Sequence, residues 1–589
     1  MAFVPNPRFR VVALASVALA AFVSSSRAQT PQLLVDLNTG ISKDSFPSRF
    51  YESPRGDTWF TAYPTGATMP ALYTTDGTTG NTTKVTDLHP LHIPQMIFTD
   101  DWKAWFVNYT ASEGWELWQS DGTPTGTGIV TDMNAGTGSS LPRDLTVCAG
   151  ELYHAAYDEE HGYELCRRGV RIADIHPGPA GSNPTGFVRC GNFLFFSADD
   201  GTTGQELWVL PWRDPTNPNP VPRRVLDIRT GALGSYPKSL VAHKNVLYFT
   251  ADDGVSGREL WRSDGTGSNT QRVADIAPGP ADGIPDGLLT ATPVYLFFVG
   301  NDQTHGREPW FSTGFVNGTN MIADLRPGPE GSDPREFTPL HSDRVAFSAE
   351  DGTHGRELWW TTALQPTLVD LVPGARGSNP RDLFFSSNDL YCAVDDPLYG
   401  TEIWTVESLD MVNPRRLADL RQGFEGSRPP GGYAFDVAFR HVIFRADDGV
   451  HGVEPWVVDA GGISRTLGQG CGGELRAPTL ITTAPRIGAN CQIDGFGLLT
   501  LTQGFAVVFL SAKPLFPINV GLCELQLDPF TMQLIAAIAA RTRFSTRLAI
   551  PNDPGLLGIV VRVGATVVPS SDPFFGFDLM NVADLRLGY

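Results

Sequence analysis

The sequence lacks features that several classes of protein require. After residue 23 it has no long apolar run, since the AAIAA segment at 536–540 is short and is followed by Arg541 and Arg543, so no membrane-spanning helix is expected. It lacks an excess of positive charge: the net charge is -20, and a nucleic acid would be repelled. No unit of the chain offers an apolar stripe with a 3.6-residue period, which excludes a helical solenoid.

The abundant residues point to β-structure. Sixty-two Gly and 46 Pro among 589 residues suit many short strands joined by tight turns. With 41% hydrophobic residues, the chain can bury a core larger than that of one ordinary domain. An all-β protein of more than one domain is therefore predicted.

The N-terminal segment has the order of a secretory signal. Arg8 and Arg10 precede an apolar run at 11–23, and the small residues Ser26 and Ala28 follow it. The run is too short for a permanent span, so we expect cleavage after Ala28 and a signal peptide at 1–28. The mature protein is then expected to be soluble and secreted or exposed at the cell surface.

One unit recurs along most of the chain. Its marker is a Glu-Leu-Trp triplet or a close variant, whose Glu recurs every 42 to 53 residues at Glu116, Glu164, Glu206, Glu259, Glu308, Glu357, Glu402 and Glu454. A degenerate earlier copy, PALYTTDGT, has Ala71 in the Glu position. Nine units therefore lie between about residues 33 and 468.

Each unit contains four short β-type runs, such as YPKSLVAH, NVLYFTADDG, RELWRSDG and TQRVADI. Four strands in 40 to 50 residues is typical of a propeller blade, and a ring avoids exposed end sheets. We predict a β-propeller of eight or nine four-stranded blades at 29–468, in which LLVDL at 33–37 serves as the last blade's fourth strand. A parallel β-helix is the main rival, but its coils are usually shorter.

These motifs resemble a known family. ELWQSDGTPTGT at 116–127, ADDGVSGRELWRSDGTG at 251–267 and ADLRPGPEGSDP at 323–334 look like the ELWxxDGT repeat family of exported bacterial proteins. The resemblance covers about residues 33–468 and implies a secreted, propeller-like repeat protein. It implies no catalytic residues.

The composition changes after GQGCGG at 468–473, where strand-like runs without the repeat begin. We predict a small β-sandwich at 469–589. This segment resembles a C-terminal β-rich module of exported bacterial proteins, which implies only a surface or sorting role.

The acidic loops of units four and five are candidate calcium sites. Carboxylates supply the hard oxygen ligands that Ca²⁺ prefers, and two loops repeat one arrangement: Asp199, Asp200 and Glu206, then Asp252, Asp253 and Glu259. The other interpretation is that each Asp accepts backbone N–H bonds within its turn. That interpretation is favoured because Ca²⁺ takes about six to eight oxygens and no loop has EF-hand spacing.

Two further residue types recur at fixed positions. We expect the repeated Trp to pack between sheets, whereas Trp212 and Trp360 fall outside the register and are better candidates for ligand contact. Four histidines share one turn position but lie in different units, so solvated loops are expected rather than a zinc site: His161, His305, His354 and His451.

The seven cysteines permit at most three disulfides. Cys471 with Cys523 is the preferred pair, and Cys491 is left unassigned. Cys148 and Cys190 each precede the marker Glu of their unit by 16 residues and are a second candidate pair, unless Cys148 meets Cys166. Cys392 is expected to be a buried free thiol.

No motif in the chain identifies an enzyme: a G-x-S-x-G elbow, a Walker sequence and a G-x-G-x-x-G loop between a strand and a helix are missing. The leading hypothesis is a secreted, monomeric, non-catalytic propeller that presents loops to glycans or proteins at the cell surface. The alternatives are a secreted carbohydrate-active hydrolase or lyase with a site in the propeller funnel, and a pure scaffold. No cofactor is expected apart from the candidate Ca²⁺.

Overall fold

The structure is a computed structural model with side chains. It describes residues 30–40, 44–53, 56–89, 96–98, 103–148, 150–212, 220–285, 287–340, 343–386, 389–407, 412–429, 432–438, 441–459 and 463–467, and beyond those the C-terminal strands given below. The predicted signal peptide lies outside the described residues.

The described residues up to 459 form a nine-blade β-propeller of four-stranded antiparallel sheets, so the count of blades is the larger of the two predicted. Strand β1 is Gln32–Leu33. Blades 1 to 4 contain β2 Ser48–Glu52, β3 Thr58–Ala62, β4 Ala71–Thr75 and β5 Thr82–Asp87; β6 Ile97–Phe98, β7 Ala104–Thr110, β8 Gly114–Ser120 and β9 Gly128–Thr131; β10 Arg143–Cys148, β11 Glu151–Asp158, β12 Gly162–Arg167 and β13 Val170–Arg171; β14 Thr185–Cys190, β15 Phe193–Asp199, β16 Gln205–Pro211 and β17 Arg223–Leu226.

Blades 5 to 8 continue in the same order. They contain β18 Lys238–His243, β19 Val246–Asp252, β20 Arg258–Ser263 and β21 Gln271–Arg272; β22 Leu289–Ala291, β23 Leu296–Asn301, β24 Arg307–Ser312 and β25 Thr319–Met321; β26 Arg335–Pro339, β27 Val345–Glu350, β28 Arg356–Thr361 and β29 Thr367–Val369; β30 Arg381–Ser386, β31 Asp389–Asp396, β32 Gly400–Glu407 and β33 Val412–Arg416. The described helices are two 3₁₀ turns, Gly267–Asn269 and Val316–Gly318.

Blade 9 closes the ring. Its strands β34 Asp436–Ala438, β35 His441–Asp447 and β36 Val453–Asp459 are completed by β1, which pairs with β36 through Leu33 and Trp456. The fourth strand of the last blade thus contains Leu33, the first residue of LLVDL, and Leu34 N–H also bonds to Pro455 (2.9 Å), so this segment closes the ring as predicted. Closure joins residues more than 400 positions apart and covers the sheet faces that the end blades of an open stack would expose.

The core lies between the blades. Each of the nine interfaces between neighbouring blades holds its own cluster of buried side chains, including the interface of blade 9 with blade 1, where Phe60 and Ile443 meet. The middle strands are buried over five consecutive residues, as in VLYFTAD of β19, because each sheet has a neighbour on both faces. Successive side chains of a middle strand therefore point alternately into two blade interfaces, rather than into core and solvent.

Within a blade the strands are named a to d in chain order. Strands a of successive blades approach one another, which places them nearest the axis. Because the pairings are antiparallel, the b–c turns and the d–a loops between blades share one face, here called the upper face. The a–b and c–d turns form the lower face.

After residue 462 the chain forms separate antiparallel sheets. The strands are β37 Ile463–Leu467, β38 Thr479–Thr482, β39 Asn490–Phe496, β40 Gly504–Ser511, β41 Ile518–Val520, β42 Cys523–Leu525, β43 Gln533–Ala539, β44 Phe544–Ala549, β45 Val560–Pro569, β46 Asp578–Leu579 and β47 Val582–Arg586. One sheet runs β37-β47-β45-β40-β43 with β46 beside β45, another runs β38-β39-β44, and β41-β42 is a hairpin. Two such sheets are what the predicted sandwich requires.

The domain boundary differs from the prediction. Because Ile463–Leu467 pairs with Val582–Arg586, this strand belongs to the C-terminal sheets and the propeller ends at about 460 rather than 468. The run GISRTL resembles a blade strand in sequence, and only its pairing shows where it belongs. No described helix is long and apolar enough to cross a membrane.

Candidate functional site

The marker Glu of each repeat is a buried anchor for an upper-face loop. Glu206 at the start of strand c has no exposed surface. Its carboxylate accepts hydrogen bonds from the backbone N–H groups of Ile228 (3.2 Å), Arg229 (3.0 Å) and Ser235 (3.0 Å), and from the Ser235 hydroxyl (2.6 Å). One carboxylate thus holds both ends of the loop that leads from blade 4 to blade 5.

The anchor recurs with small departures. Glu164 and Glu308 make the same four contacts in blades 3 and 6. Glu454 accepts bonds from the N–H (3.1 Å) and hydroxyl (2.6 Å) of Ser45 near the other end of the propeller, so the anchor also reinforces ring closure. In blade 5, Gly283 replaces the serine, and Glu259 is left with two backbone donors, Ile276 and Ala277.

Blade 1 solves the same problem differently. Ala71 stands in the Glu position, and Asn108 from the next blade takes over part of the task. Its side-chain oxygen accepts the N–H of His89 (3.2 Å), and its amide donates to the carbonyl of Asp87 (3.5 Å). Sequence reasoning missed this substitution because the two groups lie in different repeats.

Burial sets the protonation of the anchors. It raises the pKa of Glu206, Glu308 and Glu357, and the hydrogen bonds they accept oppose that rise. At three other anchors burial raises the pKa to about 7, namely Glu259, Glu402 and Glu454. These three carboxyl groups therefore titrate near neutral pH.

In five blades, two glycines allow the anchored loop to approach its turn. Gly204 of the b–c turn (φ 67°) and Gly234 of the loop (φ 67°) lie back to back. A Cβ on Gly204 would lie 2.6 Å from the backbone nitrogen of Gly234, and one on Gly234 would lie 2.3 Å from that of Gln205. Only glycine fits both the positive φ and this contact, which explains why ADDGxxG and PGxxGS recur together.

The candidate calcium ligands of blades 4 and 5 are used within their own turns. Asp199 accepts the N–H of Gly201 (2.7 Å), and Asp200 accepts the N–H groups of Thr202 and Thr203 (both 2.9 Å). Burial would raise the pKa of Asp200, but the hydrogen bonds from Thr202 and Thr203 lower it to about 2. Asp200 also pairs with Arg224 at 2.8 Å. In blade 5 the two aspartates bond in the same way to Gly254, Val255 and Ser256.

The structure therefore does not bring Asp199, Asp200 and Glu206 together around an ion, nor Asp252, Asp253 and Glu259. Glu206 and Glu259 point their oxygens at backbone N–H groups of the d–a loops, away from the turn aspartates. Among the described residues no group of three or more His, Cys, Asp or Glu side chains could hold a metal ion. Calcium binding remains a sequence prediction that this geometry does not favour.

The four histidines lie within hydrogen-bond distance of aspartates in their own turns. Each Nδ1 lies 2.6 to 2.8 Å from the aspartate three residues earlier: Asp158, Asp302, Asp351 and Asp448. The hydrogen bond to that aspartate raises the pKa of His305 and His354. The four lie on separate blades, so they do not converge on a metal.

Where the turn histidine is missing, an arginine occupies one position of strand d, and in blade 4 this arginine pairs with the turn aspartate Asp200 at 2.8 Å. The position in question is the strand d residue opposite the Trp position of strand c. It is apolar in blades 6, 7 and 9, which have the histidine, namely Met321, Leu368 and Leu33. It is arginine in blades 4, 5 and 8, which have Thr203, Ser256 and Tyr399 in the turn, namely Arg224, Arg272 and Arg416. Blade 3 has both, with Arg171 at 3.0 Å from Asp158.

The repeated Trp packs between blades, as predicted. Each of these rings belongs to or packs against the cluster shared with the preceding blade: Trp118, Trp208, Trp261, Trp310, Trp359, Trp404 and Trp456. Trp212 and Trp360, the better candidates for ligand contact, pack partly against interface clusters, with Arg189 and Arg344 over their rings at 4.8 and 5.2 Å.

The described cysteines are free and buried, which corrects the predicted Cys148–Cys190 bridge and its Cys148–Cys166 alternative. Cys148 lies in the interface of blades 3 and 4, whereas Cys190 lies in that of blades 4 and 5, so the sheet of blade 4 separates them. Burial raises the pKa of all three thiols to about 12. Cys392 is a buried free thiol, as predicted, and the side chains of Cys471 and Cys523 lie outside the described residues.

The inner strands carry a second repeated device. The fourth residue after the anchored serine, or after Gly283 in its place, has φ between 47° and 67° in seven blades: Arg49, Asp144, Gly186, Ser239, Gly287, Glu336 and Asp382. Three of these residues accept a backbone N–H of the next blade: Asp144 from Gly186 (3.3 Å), Glu336 from Leu383 (3.0 Å) and Asp382 from Tyr433 (3.2 Å). These carboxylates join neighbouring blades near the axis.

Exposed apolar side chains remain on the upper face, and three of them share one b–c turn position, namely Val255, Leu398 and Val450. Several loops carry exposed apolar side chains there, including Phe46, Leu233, Leu398, Phe424 and Val450. Sequence reasoning did not single them out. The signal was present at one of them, since Phe424 occupies a loop position that is Pro or Ala in five other units.

Comparisons with known proteins found distant similarities to solved structures. No protein-family model matches the sequence, and no similar curated protein was found. Among solved structures, a puromycin-hydrolyzing peptidase of Mycobacterium tuberculosis is 14% identical, with a TM-score of 0.33, over 75% of this chain and 61% of that one. Prolyl oligopeptidase B from Galerina marginata, bound to a 35mer substrate, is 8% identical with a TM-score of 0.35, over 77% and 55%.

The dihydro-heme d1 dehydrogenase NirN is 12% identical with a TM-score of 0.30, over 67% of this chain and 76% of that one. The chain spans less than two thirds of the length of either peptidase. Similarities this low carry no argument about activity. The chain is a nine-blade β-propeller, and its function has to be argued from its own residues.

Proposed function

We propose that the protein is a secreted, non-catalytic binding propeller whose upper face takes a glycan or a protein at the cell surface. The observation that carries this proposal is how the repeated carboxylates are used. The anchor glutamates, the turn aspartates and the three inner-strand carboxylates all accept hydrogen bonds from their own chain. A catalytic carboxylate has to face a substrate instead.

The upper face also has the composition of a binding surface. Its loops are held rigidly by the anchors, yet they expose single apolar side chains that no blade contact requires, such as Phe424 and Val450. Binding residues tend to lie on loops that a rigid scaffold positions. The net charge of -20 supports neutral or cationic ligands over polyanions.

The test compares the two faces. Phe424 and Val450 on the upper face are 80% and 59% exposed, and Leu364 and Phe315 on the lower face are 76% and 53% exposed. We expect Phe424→Ser with Val450→Ser to weaken capture of glycans or surface proteins. Leu364→Ser with Phe315→Ser is the matched control and should bind like the parent. Equal binding by both double variants would contradict an upper-face site.

Export is tested separately. The full chain is produced in a bacterial host with its own N-terminal segment, and the N-terminus of the protein outside the cytoplasm is sequenced. The proposal expects Gln29 as the first residue. Retention of the intact N-terminus in the cytoplasm would overturn the secretion part of the proposal.

One observation favours a hydrolase or lyase as a second candidate. Glu336 and Asp382 lie on neighbouring inner strands, and the charge of Asp382 adds to burial in raising the pKa of Glu336. Two neighbouring carboxyl groups, one of which has a raised pKa, are a combination used for acid and base catalysis. Release of reducing or unsaturated ends from polysaccharides, lost in Glu336→Gln, would replace the binding proposal with this one.

A further inference from the structure

An open cleft of about 730 Å³ lies on the upper face between blades 7 and 8. Four segments line it: the b–c turn of blade 7, the loop from blade 7 to 8, the b–c turn of blade 8 and the loop from blade 8 to 9. Its volume falls within the range of small-ligand sites, about 300 to 1,000 Å³. The anchors Glu357 and Glu402 bond to Ser378 and Ser427 at the ends of its two loops, so its walls are fixed.

The cleft is where the loops depart from the repeat. Phe424 replaces the small residues of the equivalent positions, which are Pro179, Ala232, Pro280, Pro329 and Ala375. Its ring is 80% exposed and belongs to no core cluster of the described residues, so blade packing does not account for it. An exposed ring in a cleft wall offers an apolar platform to a ligand.

Most charges of the cleft are already neutralised by the protein. Arg356 pairs with Asp333 (3.1 Å), and Asp395 pairs with Arg381 (2.7 Å). Two more carboxylates of the wall, Glu350 and Glu425, are paired with arginines outside it. Because these charges are paired, the cleft has no large net charge of either sign.

Two charged groups of opposite sign stay available. Arg376 is exposed and has no partner among the described residues. Asp396 uses one carboxylate oxygen for the N–H of Leu398 (2.8 Å) and keeps the other. One guanidinium donor and one carboxylate acceptor cancel in charge, so they favour a neutral ligand with groups that both donate and accept.

We infer that this cleft binds a neutral oligosaccharide. The C–H face of a sugar ring would pack on Phe424, and its hydroxyl groups would donate to Asp396 and accept from Arg376. This inference rests on the proposed function, since it names the ligand class and the place of the upper-face site. A polyanionic or strongly cationic ligand would leave Asp396 or Arg376 repelled.

The experiment measures binding of the full chain to a panel of neutral oligosaccharides and, in parallel, uronic-acid polysaccharides and amino sugars, by calorimetry. We expect binding to the neutral set and a loss of about tenfold or more in affinity for Phe424→Ala. Arg376→Ala should also weaken binding. Leu364→Ala is the matched control, since it removes an equally exposed apolar side chain from the lower face. Unchanged melting temperatures would show that the variants fold.

The other outcomes separate the two proposals. Neutral sugar binding that survives Phe424→Ala would overturn the cleft and leave the binding function standing. A preference for uronic acids or amino sugars, or capture of a surface protein without glycan binding, would overturn the ligand class. A chain that binds neither glycans nor surface proteins would refute the inference and the proposed function together.

Discussion

Replacing Glu206 with alanine should release the loop between blades 4 and 5 while leaving the ring closed. The variant removes the acceptor of three N–H bonds and one hydroxyl bond. Three of these four donors, on Ile228 and Ser235, belong to buried residues, and each buried donor left unpaired costs about 1 to 3 kcal/mol. Relief of the buried carboxylate's own desolvation offsets part of this cost, so we expect a loss of about 3 kcal/mol.

The loop carries its own reporter, because Arg229 is a tryptic site inside it. If opening is local and fast, a loss of about 3 kcal/mol raises cleavage after Arg229 by about a hundredfold. Limited trypsin digestion followed by mass spectrometry measures this rate at one bond. Ser235→Ala removes only the hydroxyl bond and should give an intermediate rate. The double variant should be no worse than Glu206→Ala alone, because both changes remove the same contact.

Glu330→Ala is the control for this prediction. Glu330 lies on the equivalent loop after blade 6, but its side chain is 73% exposed and pairs only with Arg326. Surface pairs of this kind contribute about 0 to 1 kcal/mol. If cleavage at Arg229 is no faster in Glu206→Ala than in Glu330→Ala, the anchoring role of Glu206 is refuted. A chelator that reproduces the effect of Glu206→Ala in the parent protein would instead support a calcium ligand.

Three further predictions follow from the repeated contacts. In blade 6, His305→Thr should lower the melting temperature. Adding Met321→Arg should restore it, since blade 4 has a threonine and an arginine at these two positions. If the double variant shows no recovery, the proposed exchange of histidine for arginine is contradicted. The free energy of unfolding should fall as the pH rises from about 5 to 8. A carboxyl group whose folded pKa is raised from 4.5 to about 7 stabilises the fold fully below pH 4.5, and this contribution is lost as the pH rises through 7. In melting curves at several pH values, Glu259→Gln should reduce the fall in stability with pH. An unchanged fall would contradict the raised pKa of Glu259. Finally, a thiol reagent should label the propeller cysteines only after denaturation, and early labelling would contradict their burial: Cys148, Cys166, Cys190 and Cys392.

The module could be predicted from the sequence because its determinants are local. Four β-type runs per unit, turn residues at fixed offsets and a recurring Trp depend on neighbouring residues and on their repetition. The closing role of residues 33–37 was also predictable, since the segment matches strand d of the other units. The fold class, the number of strands per blade and the packing role of Trp261 followed from these patterns.

Contacts between distant segments could not be predicted in this way. Glu206 and Ser235 are 29 residues apart, and Glu454 and Ser45 are 409 apart, so no local sequence pattern predicts either hydrogen bond. The same limit explains the wrong Cys148–Cys190 pair, because equivalent positions on adjacent blades face different interfaces. It also explains the wrong predicted boundary at 468, because the strand at 463–467 pairs with residues 582–586 and so belongs to the C-terminal sheets.

The sequence by itself therefore determined what each blade is made of, since strand alternation, turn glycines and repeated aromatics act over a few residues. The tertiary structure decided what the polar residues do. A carboxylate becomes an anchor, a counterion or a free binding group according to which loop the closed ring places beside it. Glu402 and Asp396 illustrate this, because the folded ring buries one against Ser427 and leaves an oxygen of the other open to the cleft.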